Sequence, residues 1–237
     1  MSGLISSLSL VFPSYNETEN LQRLLELVAE VVPLFVEDFE VIVVNDGSRD
    51  ETFEVLKRLQ AEHPWLYVRH HETNLGYGTA VKTGLLSATK EYLFFSDADL
   101  QFDLYYLGCL LPHLRHHVAV FGYRAPRVDP WIRKVNAWLW RALINRLFDL
   151  NVRDLDCAFK VFHRDLLKIV GRVESKGAVF STELLLRLKL AGHAWLEIPV
   201  RHLPRPAGSS TGASPRVILR AFKELFRFYS RYRRGTL

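Results

Sequence analysis

Two cysteines, Cys109 and Cys157, are all the thiol chemistry that the 237 residues offer. They stand 48 residues apart, with no CxxC pair and no histidine at ligand spacing. That excludes a zinc module and a disulfide-stapled scaffold, and both are expected as reduced, partly buried thiols. Long apolar runs are missing too, since nothing reaches the ~20 residues of a membrane-spanning helix. The opening MSGLISSLSLVFPSYNE has no basic n-region and its apolar stretch stops at Pro13, so a signal peptide is not expected. There is no internal repeat. Only the Pro/Gly/Ser-rich segment from Leu203 to Pro215 reads as a hinge, and it is short for a domain boundary.

What remains is a chain that is 49% apolar, enough for the core of one large α/β unit. Its net charge of +5 is concentrated at one end: residues 215–237 hold seven Arg or Lys against one Glu, so the other 214 residues sum to −1. A near-neutral body with a basic tail implies a local anionic partner. No nucleic-acid-binding fold accompanies the tail, so a phosphate or membrane surface is expected and nucleic acid is not.

Apolar, β-branched runs alternate with helical patterns. Strands are expected at Leu8–Phe12, Phe39–Val44, Leu66–His70, Tyr92–Phe95, Val118–Gly122 and Trp195–Val200. Helices are expected from about Glu17 to Val32, Asp50 to Ala61, Gly78 to Ala88, from near Leu104, and over 131–148 and 181–191. This alternation predicts a Rossmann-like, mainly parallel sheet flanked by helices. In such sheets ligands sit beyond the carboxyl ends of the strands. The polar clusters Pro13–Glu17, Asn45–Ser48 and Ser96–Asp99 fall there.

Asp97 and Asp99 place two carboxylates at the end of an apolar strand, with Gln101 adding a neutral oxygen in the same alternation. Crowded like charges favour a hard divalent cation, Mg²⁺ or Mn²⁺, that would keep positions open for phosphate oxygens. Helix capping by Asp99 or Asp103 is the competing reading, and for an isolated DxD it is the stronger one. Asp46-Gly47-Ser48 divides evenly between a turn with a cap at Ser48 or Asp50 and a nucleotide-binding carboxylate. The segment Asn74–Ala80 lacks the third glycine of a dinucleotide loop and the GK[ST] of a P-loop, so close helix packing is expected of its small residues.

The ordered set PSYNE (13–17), NDGS (45–48), NLGYGTA (74–80), DADLQ (97–101), GYR (122–124), RDLDCAFK (153–160), STELLLR (181–187) and RPAGSS (205–210) resembles glycosyltransferase family 2. It is most similar there to polyprenyl-phosphate sugar synthases of the dolichol-phosphate mannose synthase type, over residues 8 to 210. The resemblance implies a GT-A fold over residues 1–214, followed by a basic segment, 215–237. It implies nucleotide-sugar contacts from Pro13, Tyr15, Glu17, Asp46, Asp97 and Arg205, and a metal held by Asp97, Asp99 and Gln101. Asp99 and Arg205 would carry the chemistry, and Arg124 and Arg133 would bind an acceptor phosphate. The donor would be GDP-mannose or a UDP-sugar, and the acceptor a polyprenyl phosphate on the cytoplasmic face of a membrane, with an anchoring protein partner as an option. Two positions depart from the family pattern: Ala158 stands where glycine is frequent, and Phe102-Asp103-Leu104 where His-Pro-Pro is.

Residues 131–148 carry three of the five tryptophans and are apolar on more than one face, as a core helix or an interfacial one would be. In 215–237 a helical projection aligns Arg216, Arg220, Lys223, Arg227, Arg231 and Arg234 opposite Ile218, Ala221, Leu225, Tyr229 and Tyr232. Packing on the protein, insertion at a lipid surface and a solvated charged face all remain open. Two rival functions stand beside the lipid-phosphate reading. One is transfer to a glycan hydroxyl, with Asp154 or Asp156 as base. The other is a non-catalytic nucleotide-sugar-binding module.

Overall fold

The computed structural model describes residues 4–128, 130–208 and 215–237, with the backbone alone at Pro215 and Arg216. The run SLSLVFPS forms β1 (Ser7–Ser14), buried along almost its whole length, as expected of a central strand covered on both faces. α1 (Thr18–Val31) turns Leu21, Leu24, Leu25, Val28 and Val31 inward at helical spacing. β2 (Asp38–Asp46), α2 (Thr52–Glu62), β3 (Leu66–His71), α3 (Tyr77–Ser87) and β4 (Tyr92–Phe95) continue the alternation. A run of short helical turns over 104–115 follows, with α4 (Leu107–Leu110) at its middle. It is capped by Asp103, which accepts from the Tyr105 amide at 3.1 Å.

The second half contains β5 (Ala119–Arg124), α5 (Trp131–Phe148), β6 (Lys160–His163), α6 (Leu167–Val170), α7 (Phe180–Leu190), β7 (Leu196–Val200) and α8 (Pro215–Arg233). The sheet has seven strands in the order β3-β2-β1-β4-β6-β5-β7. Every pairing is parallel except those of β6, which runs antiparallel to both β4 and β5. The α/β architecture expected from the alternation is therefore present. β6 was not foreseen, because four residues, KVFH, are too short a run to register and three of them in succession are buried, without alternation.

From β1 the chain builds outward to β2 and β3 on one side and to β4 on the other. The strand order reverses there, and the ends of β2, β1 and β4 open side by side at that switch point. The core is continuous from α1 to Phe228, with Phe94 edge-on to both Phe12 and Phe159. α7 is buried along nearly its whole length, which explains its weak amphipathicity in sequence. Both cysteines are free; Cys157 is buried, but Cys109 is exposed on α4, where a partly buried position was expected. Among the described residues, no helix is long and apolar enough to cross a membrane.

Candidate functional site

The loops after β1 and β2 are knitted to each other. Ser48 Oγ accepts from the Asn16 amide at 2.9 Å, Asn16 Oδ1 from the Arg49 amide at 2.9 Å, and Thr52 Oγ1 from the Glu17 amide at 3.0 Å. Asn16 takes a left-handed conformation (φ 55°), which asparagine tolerates better than most residues. Pro13 is buried in β1, and Tyr15 is half-buried just beyond it. The Glu17 carboxylate accepts from Asn20 Nδ2 at 2.6 Å.

The third loop, after β4, carries Asp97 and Asp99. Between Asp99 and Gln101 sits Leu100 with φ 59°, a conformation a side-chain-bearing residue adopts only when its surroundings hold it there. Gln101 is pinned to a late segment of the chain: its carbonyl accepts from the Leu203 amide at 2.8 Å, and its Nε2 donates to the Leu203 carbonyl at 3.3 Å. An isolated antiparallel bridge between Phe102 and His202 extends the pairing. This strand-like contact delivers Arg205 to the site.

Arg205 spans the cleft. One guanidinium nitrogen lies 3.2 Å from Asp99 Oδ2, another donates to Glu17 Oε1, and Nε donates to the Ala207 carbonyl at 2.8 Å. Residues from the ends of β1 and β4 and from the loop after β7 thus meet on one cation. Ser209 and Ser210 of the RPAGSS segment lie outside the described residues, as does the side chain of Arg216.

The electrostatics are those of crowded acids. Burial and the neighbouring Asp97 charge push the Asp99 carboxyl up to about 7, against the opposing hydrogen bond from the Gln101 amide and the charge of Arg205. Asp97 is also raised, mainly by burial, while a hydrogen bond from Tyr77 and the charges of Arg124 and Lys160 act the other way. Tyr77 is in turn held well above the usual phenol range by burial and by Asp97, so it stays a donor. Among the described residues no three His, Cys, Asp or Glu side chains form a metal cage. Two carboxylates short of charge balance beside an amide nonetheless suit a hard cation that shares most of its coordination sphere with phosphate oxygens.

Asp46, at the end of β2, is tied to the loop that precedes α3. Both carboxylate oxygens are engaged within the protein: Oδ1 with His71 Nδ1 at 2.8 Å and the Leu75 amide at 2.9 Å, Oδ2 with the Gly76 amide at 2.9 Å. It holds the Asn74–Gly76 turn that launches α3. The small residues there do serve close packing. A Cβ on Gly76 would lie 2.5 Å from the Lys176 carbonyl, and one on Gly78 would lie 2.7 Å from both Phe180 Cβ and the Ser175 carbonyl. That seat fixes Tyr77 over Asp97.

Arg124, at the end of β5, forms a bidentate pair with Asp154, Nε to Oδ2 and Nη2 to Oδ1 both at 2.7 Å. Burial alone would raise Asp154, but the hydrogen bonds and charge of Arg124 outweigh it and hold the carboxyl below the usual range. Asp156 is exposed, and Arg133 is half-buried on the first turn of α5. Lys160, on β6, is buried with its ammonium on the Leu155 and Cys157 carbonyls, and burial lowers its pKa.

Residues 9–171 match the model of a family described as Glycosyl transferase family 2. The chain belongs to that family. Among its relatives, glycosyltransferase AglD of Haloferax volcanii is 32% identical over 206 residues, covering 83% of this chain and 33% of AglD. An undecaprenyl-phosphate mannosyltransferase of Micrococcus luteus is 29% identical over 212 residues, covering 84% of this chain and 85% of that protein. The chain therefore spans only a third of the first relative's length. Glucosyl-3-phosphoglycerate synthase from Mycobacterium tuberculosis, solved with Mn²⁺, UDP and phosphoglyceric acid, superposes with a TM-score of 0.67 at 20% identity, over 92% of this chain and 78% of that one. At that identity the likeness establishes the fold, which is GT-A.

Tyr77, His71, Asn20 and Lys160 were not singled out from sequence. Tyr77 sits inside a quoted motif, NLGYGTA, and that was the only signal available for it.

Proposed function

We propose that the protein is an inverting transferase that moves a hexose from a nucleotide-diphosphate sugar to a polyprenyl phosphate. The observation that carries this reading is the placement of Arg205 between Asp99 and Glu17, at the switch point of the sheet and next to the raised carboxyls of Asp97 and Asp99. Asp97, Asp99 and Gln101 would hold Mg²⁺ or Mn²⁺, which when bound neutralises charge on the departing diphosphate. Arg205, already beside Asp99, would exchange its carboxylate partners for diphosphate oxygens. Glu17, released from Arg205, keeps its Asn20 hydrogen bond and remains at the nucleotide side.

The acceptor side supports a phosphate nucleophile. A phosphomonoester is already anionic near neutral pH and needs no base. The charge of Arg124 reaches Asp97, so the two halves of the cleft are within electrostatic range, and its guanidinium is oriented by Asp154. Transfer to a glycan hydroxyl would instead require a carboxylate base. Asp154 is poorly suited to that, with both oxygens committed to Arg124. Asp156 would be left to serve.

The relative named for undecaprenyl-phosphate mannosyl transfer supports the lipid acceptor, and the reading puts the protein at the cytoplasmic face of a membrane, with room for an anchoring partner. The donor is GDP-mannose or a UDP-sugar. Incubating the protein with each donor, Mn²⁺ and a short polyprenyl phosphate should give a lipid-linked sugar from one donor. Transfer to free sugars but never to the lipid phosphate would overturn the reading.

A further inference from the structure

The basic arc expected along the C-terminal helix is one of three faces. Ala221, Leu225 and Phe228 are buried against the body, while Arg220, Lys223 and Arg227 are exposed. Between these two arcs runs a third, of exposed Ile218, Leu219, Phe222 and Phe226, the last 73% exposed. At 100° per residue the arcs lie roughly 115° apart, so the exposed apolar strip borders the cationic one. The helical projection had put exposed Ile218 with buried Ala221 and Leu225 and had left out Leu219, Phe222 and Phe226.

α5 carries a matching strip. Trp131, Ile132, Val135, Trp138 and Leu139 follow helical spacing and all are exposed, Trp131 to 72%. The two helices lie side by side in the same direction, because Trp140 meets Phe222 edge-on at 5.5 Å and Phe148 meets Phe228 at 5.3 Å. Each helix thus keeps an exposed apolar strip of its own beside these two contacts. α5 contains no acidic residue, and the single one in α8, Glu224, is turned inward to accept from the amides of Lys176 and Gly177. An apolar surface with tryptophan at its margin, bordered by Lys and Arg and free of carboxylates, matches an anionic bilayer in both hydrophobicity and charge. An ordinary solvated helix pair would not leave so much aromatic area in water.

We propose that the exposed apolar strips of α5 and α8, with the cationic arc of α8, form a docking face for an anionic lipid surface. Trp131, Trp138, Leu219 and Phe226 enter the acyl boundary, and Arg220 and Lys223 lie against the headgroups. This rests on the membrane part of the reading above but not on the transfer reaction. α5 begins seven residues after Arg124, so docking would bring that end of the cleft close to the bilayer.

The test is co-sedimentation of the full chain with vesicles of phosphatidylcholine alone or with about one-third phosphatidylglycerol, without donor or acceptor. Binding is expected to the anionic vesicles, weakening at least about tenfold in high salt as the basic contacts are screened. The double variant W138S/F226S should lose about tenfold or more in affinity at unchanged Tm, because both side chains are solvent-exposed and removing them leaves the core intact. R220Q/K223Q should lose the preference for anionic lipid. Absence of binding, equal binding by W138S/F226S, or self-association of the wild type that this variant abolishes without any vesicle binding would each overturn the proposal. Since no sugar is transferred in the assay, a failure of the proposed chemistry would leave its outcome untouched.

Discussion

Replacing Asp99 by Asn separates charge crowding from packing, since the two side chains are nearly isosteric. The Asp99 carboxyl sits at about 7 in the folded protein against 3.8 as an ordinary group. The displacement is roughly three units, or about 4 kcal/mol at about 1.4 kcal/mol per unit. Its folded pKa is raised, so this group's contribution to stability is fully present below about pH 4 and is lost as pH rises through about 7. The Asn side chain cannot ionise and pays nothing over that range. D99N loses the ion pair with Arg205 but keeps an amide oxygen that can accept from it, and Arg205 retains Glu17 and the Ala207 carbonyl as partners. With relaxation halving the gain, metal-free D99N should be about 2 kcal/mol more stable than wild type near pH 8, or roughly 4–8 °C in Tm for a chain of this size. The difference should shrink toward zero near pH 4. Thermal melts in chelator across that range measure it. Excess Mn²⁺ should raise the wild-type Tm by favouring the ionised carboxylate and should leave D99N unmoved. A constant difference between the two proteins at all pH values, or a variant that is less stable near pH 8, would refute the crowding argument.

R205A should reduce nucleoside diphosphate release by about a hundredfold or more, as expected for a lost cation at a developing charge, while donor binding measured by titration falls far less. Y77F removes the hydrogen bond that opposes the raised pKa of Asp97, so Mn²⁺ affinity near neutral pH should fall several-fold, read by calorimetric titration. R124A would leave Asp154 buried without its partner at a cost of about 3–5 kcal/mol, visible in denaturant melts. R124K preserves the charge but not the bidentate geometry, and should raise the KM for lipid phosphate while leaving donor KM within about twofold.

How much could be read from sequence depended on the range over which each signal acts. Strands β1, β2 and β4 were legible because parallel strands buried on both faces give unbroken apolar runs, and the loops at their ends followed from the α/β rule. The pairs that make the site are not local: Arg205 meets Glu17 across 188 positions, and Tyr77 reaches Asp97 only because Gly76 and Gly78 let α3 close on Lys176. The oxygens of Asp46 go to His71 and the backbone of Leu75 and Gly76, partners about 25 to 30 positions away that a strand-end carboxylate cannot announce in advance. In α8, periodicity identified the basic stripe but could not tell which apolar residues face the body, since that depends on where Phe148 and Trp140 stand.

The central claim is that one cleft joins a metal-assisted diphosphate leaving group to a lipid-phosphate acceptor. It is tested most directly by following nucleoside diphosphate release from GDP-mannose and from UDP-sugars in the presence of a short polyprenyl phosphate, with Mn²⁺ and with chelator, and identifying the lipid product. The account predicts release with one donor class that requires both the lipid phosphate and the metal, yields a lipid-linked sugar of inverted anomeric configuration, and vanishes in D99N. Release that proceeds equally in chelator, or a product in which the sugar keeps the donor's configuration, would contradict it.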